Sequence, residues 1–192
     1  MMKEIIVKTR SFRRFKQDRP LDGAILRHCI ECARLGGSAR NCQPWQYGIV
    51  TDPHRCADIF PYLGWAGYLS DWPGPVEGER PSAYILCVLN RLWLKGNDQE
   101  AQFDLGIATQ NMLLAAMENN IGGCRIGAFS AKLAGLFTLA EHQELSLVIA
   151  LGYPVETVVI ETISNNDIRY WRDEKQTHHV PKRSLDDIII SL

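Results

Sequence analysis

A short basic stretch, TRSFRRF at residues 9–15, carries the side chains best suited to bind an anion. Arg10 lies three residues before Arg13 and four before Arg14, so two guanidinium groups would share one face of a helix or converge in a turn. Guanidinium groups bind phosphate bidentately, and Ser11 would add a hydroxyl donor. The stretch therefore predicts a site for one small anion, with a solvated basic face as the alternative.

A second basic pair, Lys182-Arg183, stands near the other end of the chain. If the two ends meet, this pair and the arginines of residues 9–15 would clamp one phosphate. The overall composition supports a local site, because 21 Lys and Arg nearly balance 22 Asp and Glu, for a formal net charge of −1. A near-neutral chain argues against a general binder of nucleic acid or of membrane surfaces.

The six cysteines are scattered through apolar sequence and are interpreted as free thiols of a reducing compartment. Cys29 and Cys32 form a C-x-x-C pair, but the pair falls in the middle of a predicted helix, so packing is favoured over redox chemistry. Cys42 and Cys124 have no paired base in the sequence, and we interpret them as small apolar side chains rather than nucleophiles.

Residues 61–81 contain four prolines and four glycines, which predict a long irregular loop. The loop also carries Trp65, Tyr68 and Trp72, which are too apolar for a solvated linker. Two interpretations remain open for these aromatic side chains: a lid over a substrate pocket, or a cover for the core.

Several segments have clear helical or strand patterns that would position these groups. Asp22 is suited to cap a helix that ends at Gly36-Gly37, and Ser184 is suited to cap a short last helix. Residues 99–120 form the longest helical pattern, roughly 33 Å at 1.5 Å per residue. Strands are predicted near QYGIV, SAYILCVL, LSLVIALGY and TVVIETI. The pair His178-His179 is predicted to lie in a solvated turn, and no metal site is expected.

Helices and strands are intermixed without a regular βα repeat, so the fold class is predicted to be α+β. The 192 residues are expected to form a single domain over 1–192. No apolar run is long enough for a signal peptide or approaches the ~18 residues of a membrane span, so we expect a cytoplasmic protein. Neither a Rossmann fingerprint nor a P-loop occurs in the sequence.

Five ordered segments resemble the flavin-dependent nitroreductase family. TRSFRRF is similar to its R-S-x-R-x-F motif, and SARNCQPW to its S-A-x-N-x-Q-P-W loop. The stretch DLGIATQNMLLAA with NIGGCRIGAF resembles its central helix and the glycine-rich strand that follows. LVIALGYP and HHVPKRSLDDII resemble a late strand and a C-terminal motif near the cofactor phosphate. The resemblance implies an intertwined homodimer with a central, mostly antiparallel sheet flanked by helices, and FMN at the subunit interface.

The resemblance also implies roles for individual residues. Around the FMN phosphate and ribityl end it places Arg10 and Ser11, with Arg13 near the phosphate or the pyrimidine edge of the ring. Lys182 and Arg183 would complete the phosphate clamp, and either of the two would make the closer contact. From the other subunit it brings Ser38, Ala39, Asn41 and Gln43, and beside the flavin ring it places Arg125, Ile126, Gly127 and Ala128. The substrate pocket would be shaped by Trp65, Tyr68 and Trp72, no catalytic side chain is expected, and Arg14 is left as a surface charge.

The activity that the resemblance implies is an FMN-dependent oxidoreduction. Hydride would pass from NAD(P)H through flavin N5 to a flat acceptor, such as a nitroaromatic or a quinone, in a ping-pong cycle. The alternative keeps the FMN but drops the reductase activity. The chain would then be a sensor module or a specialised family member, such as a flavin-cleaving or dehalogenating enzyme.

Overall fold

The computed structural model describes residues 2–191, in which five α-helices, three short 3-10 helices and seven strands alternate irregularly along the chain. The helices are α1 (Met2–Lys8), α2 (Gly23–Arg34), α3 (Pro53–Ile59), α4 (Asp98–Glu118) and α5 (Leu185–Ile188). The strands are β1 (Trp45–Val50), β2 (Ala83–Asn90), β3 (Gly122–Ile126), β4 (Gln143–Gly152), β5 (Val158–Thr162), β6 (Trp171–Arg172) and β7 (His178–Lys182). The α+β prediction is confirmed.

A four-stranded antiparallel sheet of order β1-β2-β4-β3 forms the centre of the fold. Every residue of β2 is buried, because successive side chains of a strand point to opposite faces and both faces of this sheet are covered. Ile85 and its odd-numbered neighbours pack in the cluster with α2 and α4, whereas Tyr84 and Leu86 pack with α3 and β3.

The predicted helix starts depend on local capping. The Asp22 side chain accepts a hydrogen bond from the backbone of Ala24 at the start of α2, and Ser184 caps α5 in a reciprocal capping box with Asp187. Helix α4 begins at a second capping box, Asn97 with Glu100, and ends within two residues of the predicted boundary. Each of these caps satisfies backbone N–H groups that have no partner inside the helix.

The N-terminal basic segment is neither a helix nor a tight turn but an extended strap. Ser11 forms a bridge to Gly123, and Phe15 forms one to Pro154. A Cβ at Gly122 would lie 2.5 Å from the Phe12 ring, and one at Gly152 would lie 2.8 Å from the Phe15 side chain. The two glycines therefore make room for the phenylalanines that hold the strap on the central sheet.

A smaller sheet of order β5-β7-β6 brings the C-terminal region back beside the strap. The prediction of a solvated turn at His178-His179 is wrong, because both residues lie in β7 and His178 is 1% exposed. The strand pairs in parallel with β5, and its one buried residue, His178, lies against Arg13 of the strap. Its sequence consequently lacks the apolar alternation that marks a strand over a hydrophobic core.

Candidate functional site

A cavity of about 330 Å³ lies where the strap, α4, β3 and β7 meet. Four cationic side chains line it, and none of its lining residues is an aspartate or glutamate. The four are Arg10, Arg13, Arg125 and Lys182, with Ser11 between the first two. We call this space the cationic cavity. Clustered positive charge without a carboxylate partner makes it suited to an anion.

Arg10 and Arg125 are held by neutral partners in the wall of the cavity. Arg10 donates from Nη2 to the Ile6 carbonyl of α1 at 2.6 Å, but its buried Nε has no hydrogen-bond partner among the described residues. Arg125 donates to Gln110 at 2.7 Å. Burial lowers the pKa of both guanidinium groups, because the charged form is desolvated. A bound anion would offset this desolvation.

The Arg13 side chain is held by three groups at the cavity wall. Its Nη1 donates to the Ser11 carbonyl at 3.1 Å and lies 3.3 Å from Nε2 of His178. The guanidinium also lies 5.0 Å from the centre of the Tyr170 ring, within the range of a cation–π contact. The Arg13 backbone N–H donates to the buried carboxylate of Glu156, which fixes the strap at this point.

Two basic residues near the cavity have other roles. Arg14, predicted to be a surface charge, forms a two-point ion pair with Glu79 at 2.6 and 2.7 Å, and the two side chains are 21% and 28% exposed. Arg183 donates to Asn166 at 2.7 Å and does not line the cavity, whereas Lys182 does. Of these two neighbouring residues, only Lys182 therefore lines the cationic cavity, which the sequence alone did not decide.

A second cavity of about 280 Å³ shares Arg13, Arg125 and Tyr170 with the cationic cavity. The rest of its wall is largely small or apolar and includes Ile126, Gly127, Ala128 and Trp65. We call it the apolar cavity. An added Cβ at Gly127 would meet only the Leu147 side chain, at 3.8 Å, so protein packing does not require glycine there. The two cavities together form an elongated site with one charged end.

The aromatic loop of residues 61–81 closes one side of the apolar cavity. Trp65 lines the cavity and packs edge-on against Trp72, with ring centres 6.5 Å apart. Trp72 is covered in turn by the Arg172 guanidinium, 4.1 Å from its ring centre. Tyr68 lies on Tyr170, with ring centres 4.9 Å apart. Only Trp65 of the three predicted pocket residues lines the cavity, and the other two support its wall.

The loop of residues 38–43 lies in a different place and lines a separate cavity of about 420 Å³ with Ser38 and Gln43. Within one chain, the structure does not bring this loop to the cationic cavity. Its backbone is strained, because Arg40, Asn41 and Gln43 all have positive φ values, between 49° and 55°. Such strain persists only where surrounding contacts enforce it.

Asp104 of α4 provides those contacts. Its buried carboxylate accepts hydrogen bonds from Ser38 Oγ at 2.8 Å and from the Ala39 backbone at 2.9 Å. Ser38 Oγ in turn accepts from the Gln43 backbone at 2.9 Å, which closes the loop on itself. Asp104 was not predicted from the sequence. An acidic residue within the most apolar helical pattern could have indicated a buried carboxylate with hydrogen-bond partners.

His178, Tyr170 and Gln110 were also missed among the residues that line the cationic cavity. His178 and Gln110 lie within segments that resemble family motifs but were not singled out there, and the pairing of β7 with β5 and β6 brings His178 and Tyr170 to the strap. Within residues 2–191, no group of three or more His, Cys, Asp or Glu side chains is arranged to hold a metal ion. No helix in that range has the length and hydropathy needed to cross a bilayer.

Comparison with known proteins gives a consistent picture. The model of the nitroreductase family matches residues 79–153. A protein of Methanothermobacter thermautotrophicus named "Putative NADH dehydrogenase/NAD(P)H nitroreductase" is 27% identical over 164 residues, which cover 78% of this chain and 76% of the relative. An NADH dehydrogenase of Thermus thermophilus is 25% identical over 182 residues, covering 80% and 87% of the two chains.

Solved structures share the fold at low sequence identity. One from Desulfovibrio desulfuricans, described as a putative nitroreductase in complex with FMN, is 22% identical with a TM-score of 0.71 and covers 99% of this chain and 95% of its own. A nitroreductase family protein from Streptococcus pneumoniae is 17% identical with a TM-score of 0.69, and the match covers both chains completely. At these identities the likeness establishes the fold alone.

Proposed function

We propose that the chain is a member of the nitroreductase family and an FMN-dependent oxidoreductase that passes electrons from NAD(P)H to a small flat acceptor. The observation that carries the proposal is the elongated site, in which a carboxylate-free cationic cavity continues into an apolar one. FMN has the matching shape, with a phosphate at one end and a flat ring system at the other.

The cationic cavity fits the phosphate end. A phosphate monoester carries roughly −1.5 to −2 charges at pH 7 and offers several acceptor oxygens. The partly desolvated guanidinium groups of Arg10 and Arg125, the Arg13 fork and the Lys182 ammonium supply donors from different segments. Arg10 Nε is buried and has no hydrogen-bond partner among residues 2–191, so contacts within the protein leave part of this guanidinium group unsatisfied.

The apolar cavity fits the ring end. Gly127 and Ala128 leave space at the wall because glycine has no side chain and alanine has a small one. Trp65 provides a flat apolar surface on the loop side. Bound FMN would supply the two-electron chemistry, while the protein supplies position and electrostatics. Arg13 and Arg125 keep positive charge at the junction of the two cavities, where it would stabilise a bound group that gains electrons.

No side-chain acid or base is needed for this role. The chain's residues hold the cofactor, exclude water with the aromatic loop and orient the substrates. We propose that NAD(P)H and the acceptor, a nitroaromatic, a quinone or a similar flat molecule, occupy the same place in turn. That order is a ping-pong mechanism.

We further propose that the active form is a homodimer, in which Ser38, Ala39, Asn41 and Gln43 reach the cofactor of the partner subunit. None of these four residues lines the cationic cavity of its own chain, which supports this arrangement. Large apolar side chains exposed on α4 and at the C-terminus also support it, since such surfaces usually mark interfaces. These are Phe103, Ile107, Leu185, Ile188, Ile189 and Ile190, which are 46–72% exposed.

The test is anaerobic stopped-flow reduction of the purified protein by NADH and by NADPH, followed by a screen of acceptors. We expect a yellow protein whose bound FMN bleaches with at least one nicotinamide and recovers its colour with a quinone or nitroaromatic. A colourless protein that binds no added FMN would refute the proposal. Bound FMN that neither nicotinamide reduces would instead indicate a non-reductase member of the family.

A further inference from the structure

Tyr170 is a half-buried aromatic residue that lines both the cationic cavity and the apolar cavity. It directly precedes β6, whose pairing with β7 fixes the position of this part of the chain. The centre of its ring lies 4.9 Å from that of Tyr68 in the aromatic loop and 5.2 Å from that of His178 in β7. Tyr170 therefore stands where the two cavities, the smaller sheet and the aromatic loop meet.

The ring of Tyr170 holds the Arg13 guanidinium. Its centre is 5.0 Å from the guanidinium carbon, within the range of a cation–π attraction. Arg13 lines both cavities, as Tyr170 does. Because an aromatic ring carries no negative charge, this contact fixes the side chain at the junction of the cavities and leaves its positive charge uncompensated.

The hydroxyl group of Tyr170 holds the aromatic loop. Its oxygen accepts a hydrogen bond from the backbone N–H of Tyr68 at 3.3 Å. The central part of the loop, residues 65–75, otherwise forms backbone hydrogen bonds only with itself, in turns at residues 66–69 and 69–72. Within the part of the chain that the structure describes, the contact with Tyr170 is thus the one backbone hydrogen bond that joins this central part to another segment.

Arg172 holds the loop at a second point. Residues two apart in an extended segment point to the same side, and Arg172 lies 4.1 Å from the centre of the Trp72 ring while Tyr170 lies on Tyr68. Trp72 packs in turn against Trp65, which lines the apolar cavity. The loop-side wall of that cavity therefore depends on contacts made by the segment that contains Tyr170.

We propose that Tyr170 is a positioning residue of the site, with separate roles for its ring and its hydroxyl group. The ring keeps the Arg13 guanidinium at the junction of the two cavities, and the hydroxyl oxygen keeps the aromatic loop against the apolar cavity. The role of the ring in FMN binding rests on the proposed function, whereas the anchoring of the loop does not.

Two substitutions separate the ring from the hydroxyl group. Tyr170→Phe keeps the ring and removes only the acceptor, whereas Tyr170→Leu removes both. Amide hydrogen exchange of the loop is measured on the flavin-free protein, FMN affinity is measured by fluorescence titration, and the melting temperature reports the fold. Tyr153→Phe is the matched control, because the Tyr153 ring also lies on an arginine, Arg19 at 3.4 Å, but lines neither cavity.

In Tyr170→Phe the Tyr68 amide should exchange about 2–10-fold faster, as for the loss of one neutral hydrogen bond, with FMN affinity within about twofold of wild type. Tyr170→Leu should show the same faster exchange. It should also bind FMN about 3–10-fold more weakly, as for the loss of one cation–π contact. Tyr153→Phe should change neither property.

Unchanged exchange of the Tyr68 amide in Tyr170→Phe would overturn the anchoring of the loop. Wild-type FMN affinity in Tyr170→Leu would overturn the role of the ring. Tyr170→Phe tests both roles even if Tyr170→Leu does not fold, because a clear loss of FMN affinity in Tyr170→Phe contradicts the role given to the ring. An absence of FMN binding by the wild-type protein would instead refute the proposed function, and the exchange result would still decide whether Tyr170 anchors the loop.

Discussion

The carboxylate of Glu156 accepts a hydrogen bond from Nη2 of Arg172 at 3.0 Å, and the two side chains are 0% and 8% exposed. The other carboxylate oxygen accepts from the backbone N–H groups of Arg13 and Arg14. Because Arg172 also covers the Trp72 ring, one buried ion pair connects the strap, the smaller sheet and the aromatic loop. The positions of the anion-binding and ring-binding parts of the site therefore depend on the same pair.

Glu156→Gln should destabilise the protein strongly. The substitution keeps the shape but leaves the buried Arg172 guanidinium without its counter-charge, which costs about 3–5 kcal/mol when one partner of a buried pair is removed. Urea unfolding measures the loss. Asp167→Asn is the control, because the Asp167–Arg169 pair is exposed and its removal should change stability little. Similar stabilities for the two variants would contradict the prediction.

Arg10→Ala should lower FMN affinity by about 1.5–3 kcal/mol, the usual value for a hydrogen bond to a charged group. Fluorescence titration with FMN checks this value. Arg14→Ala is the matched control: it removes an arginine four residues away whose partner is Glu79, so it should lower the melting temperature and leave FMN affinity nearly unchanged. If FMN affinity is unaffected in Arg10→Ala, Arg10 is not part of the site.

Gly127→Ala should fold like the wild-type protein but bind FMN less tightly. The added Cβ meets only Leu147, at ordinary contact distance, yet it would project at the wall proposed for the flavin ring. Adding a methyl group to a well-packed contact costs about 1–3 kcal/mol, and we expect a loss of this size in the free energy of FMN binding. A fluorescence titration with FMN measures it. Gly135→Ala also has room for its Cβ and lies outside both cavities, so it should change neither property.

Asp104→Asn should loosen the strained loop of residues 38–43. The amide retains only one acceptor oxygen, so it cannot accept from both Ser38 Oγ and the Ala39 backbone as the carboxylate does. Faster amide hydrogen exchange confined to this loop is the expected result. Glu118→Gln, at the exposed end of the same helix, should leave the exchange of the loop unchanged. Unchanged exchange in Asp104→Asn would show that Asp104 does not enforce the loop conformation.

The stability of the protein should fall as the pH rises above about 6.5, through the titration of His179. Burial alone would lower the pKa of His179, but the hydrogen bond to the Glu161 carboxylate and the nearby charge of Asp173 outweigh it and raise the pKa above its ordinary value of 6.5. The contribution of His179 to the free energy of unfolding is therefore complete below pH 6.5, and it is lost as the pH rises through the folded-state pKa. His178 has the opposite effect. Its pKa is lowered by burial in the folded protein, so the free energy of unfolding decreases as the pH falls from about 6.5 towards 4.

Urea midpoints between pH 5 and pH 9 check this pH dependence. His179→Gln should flatten the alkaline side of the profile relative to the wild-type protein and leave the acid side as it is. An alkaline side that is equally steep in both proteins would show that other groups cause it.

Local signals were sufficient to predict much of the fold. Asp22 and Ser184 cap helices because their side chains accept from backbone N–H groups within three residues, which needs no tertiary contact. The buried strand Ala83–Asn90 follows from an unbroken apolar run. Strand β7 could not be predicted in this way, because its only buried residue, His178, is polar and its parallel partner β5 lies more than a dozen residues before it.

The anion site was likewise predicted only in part from the sequence. The sequence by itself determined which side chains could bind phosphate, because the guanidinium and hydroxyl groups of residues 9–15 and the pair Lys182-Arg183 have that chemistry in any fold. Only the tertiary structure decided which of them meet. Lys182 faces the cavity and Arg183 does not, since side chains in this part of the chain alternate in direction and only one can face the strap. Arg14 is removed from the site by Glu79, 65 residues away, and His178 is added by the pairing of β7. Such choices depend on contacts between segments far apart in the chain, which local sequence patterns do not encode.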